Sequence, residues 1–194
     1  IRAKKVILAT GSIERPLTFN NNDRPGIMLA NSVSKYLNGY GINLGKQIVI
    51  FTNNDSAYQT AIDCHYQNVN VVAVIDVRNN LEGELPLKVK QLGIKIYTGS
   101  IISNTSGRKK LKTVQIKKIN QKNIEILNCD LLCISGGWSP TVHLFTQSRG
   151  KLKFRDEDSC FIPHQSHQKT LSIGSCNGVF DLKNILNETY NSVN

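Results

Sequence analysis

Thr10-Gly11, Gly174-Ser175-Cys176-Asn177-Gly178 and Thr52-Asn53-Asn54-Asp55-Ser56-Ala57 are the stretches whose residue types and placement could do chemistry, each standing where an apolar run ends. A turn that leads from a strand into a helix presents backbone N–H groups to phosphate, and glycine there lets the backbone come close to the ligand. Turns of this kind hold dinucleotides. The first two stretches keep their glycines. The third has none, although a working loop would read Gly-x-Gly-x-x-Gly or a near variant, so side chains occupy the space a pyrophosphate needs. Asp76 lies at the end of the next apolar run, where an acid could bind a ribose hydroxyl. Without the glycines that acid carries little, and Asp55 reads chiefly as a helix cap. For each glycine loop taken alone, a simple tight turn with positive φ explains the residues equally well.

Other candidate chemistry is sparse. Cys64, Cys129, Cys133, Cys160 and Cys176 form neither a disulfide framework nor a zinc pattern, and Cys129 and Cys133 lack Cys-x-x-Cys spacing. They read as buried thiols of a reducing compartment, taken as the cytoplasm. His164 and His167 are neighbours in a loop and read as exposed, not as a metal site. No residue stands out as a catalytic acid, base or nucleophile. The net charge of +10 is dispersed apart from Arg108, Lys109, Lys110 and Lys112, which read as a hairpin tip, and no row of aromatics accompanies it. Nucleic-acid binding is therefore not expected. Nor is a membrane span, since no apolar run approaches the roughly 20 residues that one needs.

The elements that must position these loops follow from periodicity. Lys5–Ala9 reads as a strand running into Thr10-Gly11, and Met28, Leu29, Val33, Tyr36 and Leu37 recur at helical spacing before Gly39 and Gly41. From Gly45 the order is strand 47–51, helix 55–66, strand 69–76, helix near 85–92 and strand 94–97. Antiparallel segments follow around 101–103, 111–119 and 123–127, and then a buried strand at 130–134. Continuous apolar runs such as Val71-Val72-Ala73-Val74-Ile75 indicate parallel strands covered on both faces. Short strands at 151–154 and 170–173, the Gly174–Gly178 loop and a helix from about Asp181 to Tyr190 complete the chain. The expected fold is α/β: a Rossmann-like βαβ domain with an antiparallel meander, inserted in a split, incomplete FAD/NAD(P)-binding domain. Residues 1–44 are assigned to the first half of the outer domain, 45–135 to the insertion and 136–194 to the returning half.

In two-domain flavoprotein reductases, an Ala-Thr-Gly strand end closes the first dinucleotide-domain segment, and a Gly-Asp loop late in the chain meets the cofactor's ribityl or ribose portion. Val6-Ile7-Leu8-Ala9-Thr10-Gly11 resembles the first; Ile173-Gly174-Ser175 resembles the second with serine in place of the acid. Further stretches are more distinctive: Ala9-Thr10-Gly11-Ser12-Ile13-Glu14-Arg15-Pro16, Asn22-Asp23-Arg24-Pro25-Gly26, Phe51-Thr52-Asn53-Asn54-Asp55-Ser56-Ala57-Tyr58 and Ser135-Gly136-Gly137-Trp138-Ser139-Pro140. With His143-Leu144-Phe145-Thr146-Gln147-Ser148 and Gly150-Lys151-Leu152, they resemble the alpha subunit of heterotetrameric sarcosine oxidase in order along almost the entire chain.

That resemblance implies a segment of a large multidomain subunit that works with a beta subunit and other subunits to oxidise sarcosine to glycine, using oxygen and yielding hydrogen peroxide. It implies FAD on the beta subunit, FMN at the alpha–beta interface and NAD in the alpha subunit's pocket, with methylene transfer to tetrahydrofolate in a region absent here. Carried over residue by residue, Thr10, Gly11, Gly174, Ser175, Phe180 and Leu182 are the expected cofactor contacts. Ser175 in place of the acid agrees with NAD. The phosphate-binding glycine loop of that pocket is expected upstream of Ile1, so the fragment alone is expected to bind NAD poorly. Alternatives are an NAD(P)H-dependent flavoprotein reductase, a related two-component amine or opine dehydrogenase subunit, and a scaffold that only holds a partner's flavin.

Overall fold

Strands that are apolar at every position need cover on both faces, and the computed structural model, which describes residues 3–193, supplies it. The chain divides into two compact units, one formed by residues 3–14 with 138–193 and the other by Arg15–Gly137. In chain order the elements are β1 (Val6–Leu8), β2 (Ser12–Glu14), β3 (Ile27–Leu29), α1 (Ala30–Tyr40), β4 (Gln47–Thr52), α2 (Ser56–Tyr66) and β5 (Asn70–Asp76). Then come α3 (Glu84–Gln91), β6 (Ile96–Tyr97), β7 (Ser100–Ser106), β8 (Thr113–Lys118), β9 (Ile124–Asn128) and β10 (Leu131–Ser135). The last are β11 (Trp138–Pro140), α4 (His143–Gln147), β12 (Lys151–Arg155), β13 (Cys160–Gln165), β14 (Thr170–Ser172), a 3-10 turn at Gly174–Asn177 and α5 (Leu182–Val193).

The Arg15–Gly137 unit is built on a parallel sheet in the order β3-β10-β4-β5-β6. Alternate residues of each strand enter opposite cores. Ile48, Ile50, Val74, Leu131 and Cys133 pack with Val33 and Leu37 of α1, Tyr58, Ala61 and Ile62 of α2 and Val89 of α3. Val49, Phe51, Ile75, Leu132 and Ile134 pack on the other face against Ile102, Val114 and Ile116 of the antiparallel β7-β8-β9 sheet. The layers are therefore helices, parallel sheet and meander, and each large side chain buried this way stabilises the unit by about 1.5–3 kcal/mol. The fold class expected from the sequence is the one found.

Three local expectations are corrected. Met28 and Leu29 belong to β3, whose parallel pairing with Cys133 and Ile134 of β10 outweighs their helical spacing. The helix after it continues through Gly39 and stops at Gly41, whose left-handed conformation (φ 64°) lets its N–H reach the Leu37 carbonyl at 3.1 Å. Because β3 and α1 complete the sheet and one of its cores, residues 15–44 group with the inserted unit and not with the outer one. The chain enters and leaves this unit side by side: Arg15 N–H donates to Gly137 O (2.8 Å) and Gly136 N–H to Arg15 O (2.7 Å).

The other unit contains three strand pairs: β1 with β14, parallel, and β2 with β11 and β12 with β13, antiparallel. Val6, Ile7 and Leu8 pair with Thr170, Leu171 and Ser172, and the Ile173 N–H continues the ladder to Leu8 O at 3.0 Å. The residues that follow β1 and β14 thus leave the same end of neighbouring parallel strands.

Candidate functional site

In open α/β sheets, ligands sit beyond the carboxyl ends of the strands, so the loop after β4 is the first place to examine. It is tied shut. Thr52 Oγ1 donates to Asn54 O (2.9 Å) and accepts from Asn54 N–H (3.0 Å), and Asn54 Oδ1 accepts from the Ser56 N–H and hydroxyl at 3.1 and 2.6 Å. Asn54 Nδ2 donates across to the carbonyl and hydroxyl oxygens of Ser135, at 3.2 and 3.1 Å, joining the ends of β4 and β10. Asp55 does not cap α2. Its position is helical (φ −78°, ψ −24°), its side chain makes no capping bond, and its carboxylate instead pairs with Arg78 Nη2 at 2.7 Å. The helix start is served by the preceding asparagine, which competes for the same N–H groups.

Asp76, placed by the sequence where a ribose-binding acid would stand, is fully buried and has no free oxygen. Oδ2 accepts from the Tyr58 hydroxyl (2.8 Å) and Arg78 Nη2 (2.8 Å), and Oδ1 from Arg78 N–H (2.8 Å) and Nε (3.1 Å). Burial, then the adjacent Asp76 charge and hydrogen bond, hold the Tyr58 phenol above its ordinary range. Burial works to lower the pKa of Arg78, but the hydrogen bonds and charges of Asp76 and Asp55 outweigh it and raise it. A dinucleotide bound in the usual mode does not fit here: the loop lacks glycine and the acid is spent within the protein.

The two glycine loops of the outer unit differ. Gly11 (φ 76°) borders open space on the side a side chain would take. The strand-end loop is fixed by Thr141, whose N–H donates to Gly11 O (2.9 Å) and whose carbonyl accepts from the Thr10 hydroxyl (2.6 Å). Thr10 therefore has a structural partner that the sequence did not reveal. Gly174 (φ 70°) opens the 3-10 turn and is buried, Ser175 is half-buried, and Gly178 closes the turn in the left-handed region at 79°. A Cβ on Gly178 would come within 2.7 Å of Ile162 Cγ2, so that position requires glycine. Among the described residues no hydrogen bond engages the Ser175 hydroxyl. Phe180 is half-buried and Leu182, the first residue of α5, is 68% exposed. Of the six residues expected at a cofactor, Thr10, Gly11, Gly174 and Ser175 gather at one end of the β1–β14 pair, while Phe180 and Leu182 follow the turn into α5.

The sequence reading missed the residues that hold this turn from behind. The Cys176 thiol lies 3.1 Å from both Leu8 O and Ile173 O, and Glu188 of α5 reaches back to Gly174 and Asn177. A buried cysteine and an acid in the middle of an amphipathic helix carry no distinguishing sequence signal. All five cysteines are free and buried. Burial, with Asp63 adding, pushes the Cys64 thiol up to about 11; burial, with Asp130 adding, pushes Cys129 up to about 12. Among the described residues no cluster suited to a metal ion occurs and no helix is long and apolar enough to cross a membrane. His164 and His167 are exposed.

No protein-family model matches the chain. Among solved structures, T. acidophilum thioredoxin reductase superposes with a TM-score of 0.69 over 99% of this chain and 67% of its own, at 16% identity. Lactococcus lactis thioredoxin reductase gives 0.70 over 95% and 62%, also at 16% identity. L-proline dehydrogenase from P. horikoshii gives 0.60 over 90% and 30%, at 22% identity. At these identities the likeness establishes the fold alone. Sequence comparison reaches further. Sarcosine oxidase subunit alpha of Corynebacterium sp. (strain P-1) is 38% identical over 192 residues, covering 96% of this chain and 20% of that protein. The subunit of the same name from Rhizobium meliloti (strain 1021) is 33% identical over 162 residues, covering 84% and 16%. The chain thus spans about a fifth of the length of the curated relatives it matches. Along almost all of its length, this chain is a homologue of one segment of the sarcosine oxidase alpha subunit.

Proposed function

We propose that this chain is a framework segment of an alpha subunit in a sarcosine-oxidising flavoprotein complex, and that its β1–β14 strand ends form part of a pocket for NAD. The observation that carries the reading is the pairing of two glycine turns, Thr10-Gly11 and Gly174–Asn177, at one end of adjacent parallel strands in a chain 38% identical to the Corynebacterium subunit. The residues present fit such a ligand. Gly11 offers backbone beside open space, and Ser175 offers a hydroxyl with no partner among the described residues. Thr10, Gly174, Phe180 and Leu182 complete the set that would line the NAD side of the pocket.

In this reading, FAD held by a beta subunit would supply the two-electron oxidation of the amine with oxygen as acceptor, giving hydrogen peroxide, and FMN would be held with the help of both subunits. Among the described residues, none is assigned the part of acid, base or nucleophile in that reaction. The chain's part is to hold and orient. Tetrahydrofolate is used in another region of the longer subunit to give 5,10-methylenetetrahydrofolate. The five free cysteines accord with the reducing cytoplasm. A reductase driven by NAD(P)H needs a second dinucleotide at the loop after β4, and the bonds from Asn54 to Ser135 and from Asp76 to Tyr58 and Arg78 weigh against one.

The test is to co-express the full-length protein with its beta partner. The complex is expected to retain NAD through purification and to consume oxygen when given sarcosine. Oxygen uptake driven by NADH without an amine would replace this reading with the reductase.

A further inference from the structure

Glu188 lies in the middle of α5, yet both of its carboxylate oxygens are spent on the turn fourteen residues earlier in the chain. Oε2 accepts the Gly174 N–H at 2.7 Å and Oε1 accepts Asn177 Nδ2 at 2.6 Å. Hydrogen bonds to a carboxylate at these lengths are the strong, charge-assisted kind. They grip the two ends of the 3-10 turn at once. Between them the Cys176 thiol is fixed to Leu8 O and Ile173 O, which ties the turn to the end of β1. Just beyond, Arg155 Nη2 donates to Gly178 O at 2.6 Å. Gly174, Cys176, Asn177 and Gly178 are therefore all tethered, and Ser175 is the one residue of the turn whose side chain is half-buried and still available.

We propose that Glu188 is a positioning residue for the dinucleotide pocket: its carboxylate braces the Gly174–Asn177 turn from the side of α5, so that the turn is formed before a ligand arrives and presents the Ser175 hydroxyl to it. The inference rests on the NAD reading above. It adds a division of labour within that reading. In the flavoprotein pattern a carboxylate in the turn meets the cofactor directly; here position 175 carries a hydroxyl, and a carboxylate from α5 bonds the Gly174 N–H and the Asn177 amide instead. Pre-forming the turn removes an ordering cost that binding would otherwise bear.

The experiment uses the full-length protein stripped of NAD and titrated with NAD by calorimetry. Glu188→Leu keeps the bulk and helix preference of the side chain but removes both acceptors, and NAD affinity is expected to fall roughly tenfold. Glu188→Gln keeps an acceptor for the Gly174 N–H, and the Asn177 amide can turn to accept from the new amide, so affinity is expected to return to within about threefold of wild type. A loss in Glu188→Leu that Glu188→Gln rescues supports the proposal. Wild-type protein that binds NAD alongside a Glu188→Leu variant within about twofold of it overturns the proposal and leaves the pocket standing. Wild-type protein that binds no NAD removes the pocket and this inference together. Should Glu188→Leu not fold, Asn177→Ala decides: removing one tether is expected to weaken NAD about threefold, and unchanged affinity overturns the brace.

Discussion

The molecule offers two crevices at the carboxyl ends of parallel strands, and it treats them oppositely. Beyond β4 and β10, the Asn54 amide bonds Ser135 across the gap, Thr52 holds the Asn54 backbone, and the acid at the end of β5 is consumed by Tyr58 and Arg78. Beyond β1 and β14, glycine backbone borders open space, the tethers approach from behind, and one hydroxyl remains uncommitted. The same strand-end geometry that makes a ligand site becomes a structural joint once its polar groups satisfy one another. Presence of the fold therefore says little about binding; the state of its polar groups says more.

If the first crevice is a joint, damage to it should cost stability and leave ligand binding alone. Asp76→Leu leaves the Tyr58 hydroxyl and the Arg78 N–H and Nε without their acceptor, while Asp55 still pairs with Arg78, and the β4 and β5 amides of the full-length protein are expected to lose about 2–3 kcal/mol of hydrogen-exchange protection. NAD affinity should stay unchanged; a matched loss of NAD affinity would overturn the reading of this loop as purely structural. A second effect follows from the core thiols beside the same sheet. The folded pKa of Cys64 is raised from 9.0 to about 11 and that of Cys129 from 9.0 to about 12. Raised folded values mean the unfolded chain sheds protons first, so stability is intact below pH 9 and declines as pH rises through 11 and 12. Each thiol adds up to about 1.4 kcal/mol per pH unit to that decline. Denaturant titrations from pH 8 to 11 should show the slope, and Cys64→Ala with Cys129→Ala should flatten it.

Replacing Thr52, Asn53 and Asn54 together by glycine sharpens the comparison from the other side. The loop would then resemble a phosphate-binding loop in composition, yet we expect a loss of about 1–2 kcal/mol of local stability and no gain in sarcosine turnover. A large gain in turnover would move the chemistry into this unit. The smallest effect belongs to the open crevice. Ser175→Ala should weaken NAD by about 1 kcal/mol, roughly fivefold, with exchange protection of β4 and β5 unaltered.

How far the sequence foretold this division depended on the kind of signal. The continuous apolar runs of β5 and β10 marked a covered parallel sheet, because no other environment suits a strand without a polar face. Strand β3 went unseen: three residues are too few to show a period, and its partner β10 lies a hundred residues away. The short β2–β11 pair, which includes Pro140, was hidden for the same reason. In the outer unit, Gly11 and Gly174 were legible as turn positions, because glycine directly after a strand marks a backbone with positive φ. Asp55 was misread because sequence cannot say whether an acid beside a helix start will face the backbone or an arginine twenty-three residues on. Glu188 was invisible because its partners are set by how α5 folds back on its own unit.

The β1–β14 pairing also sets a timetable. A strand that pairs in parallel with one made far later has to wait for it: at ribosomal speeds of about 5–20 residues per second, Val6 stays without Thr170 for roughly 10–30 s. Every strand of the β3-β10-β4-β5-β6 sheet has been synthesised by Ser135, before β14 exists. During synthesis the β3-β10-β4-β5-β6 sheet can therefore assemble first, while the segment carrying Thr10 and Gly11 still lacks the β14 side of its pairing.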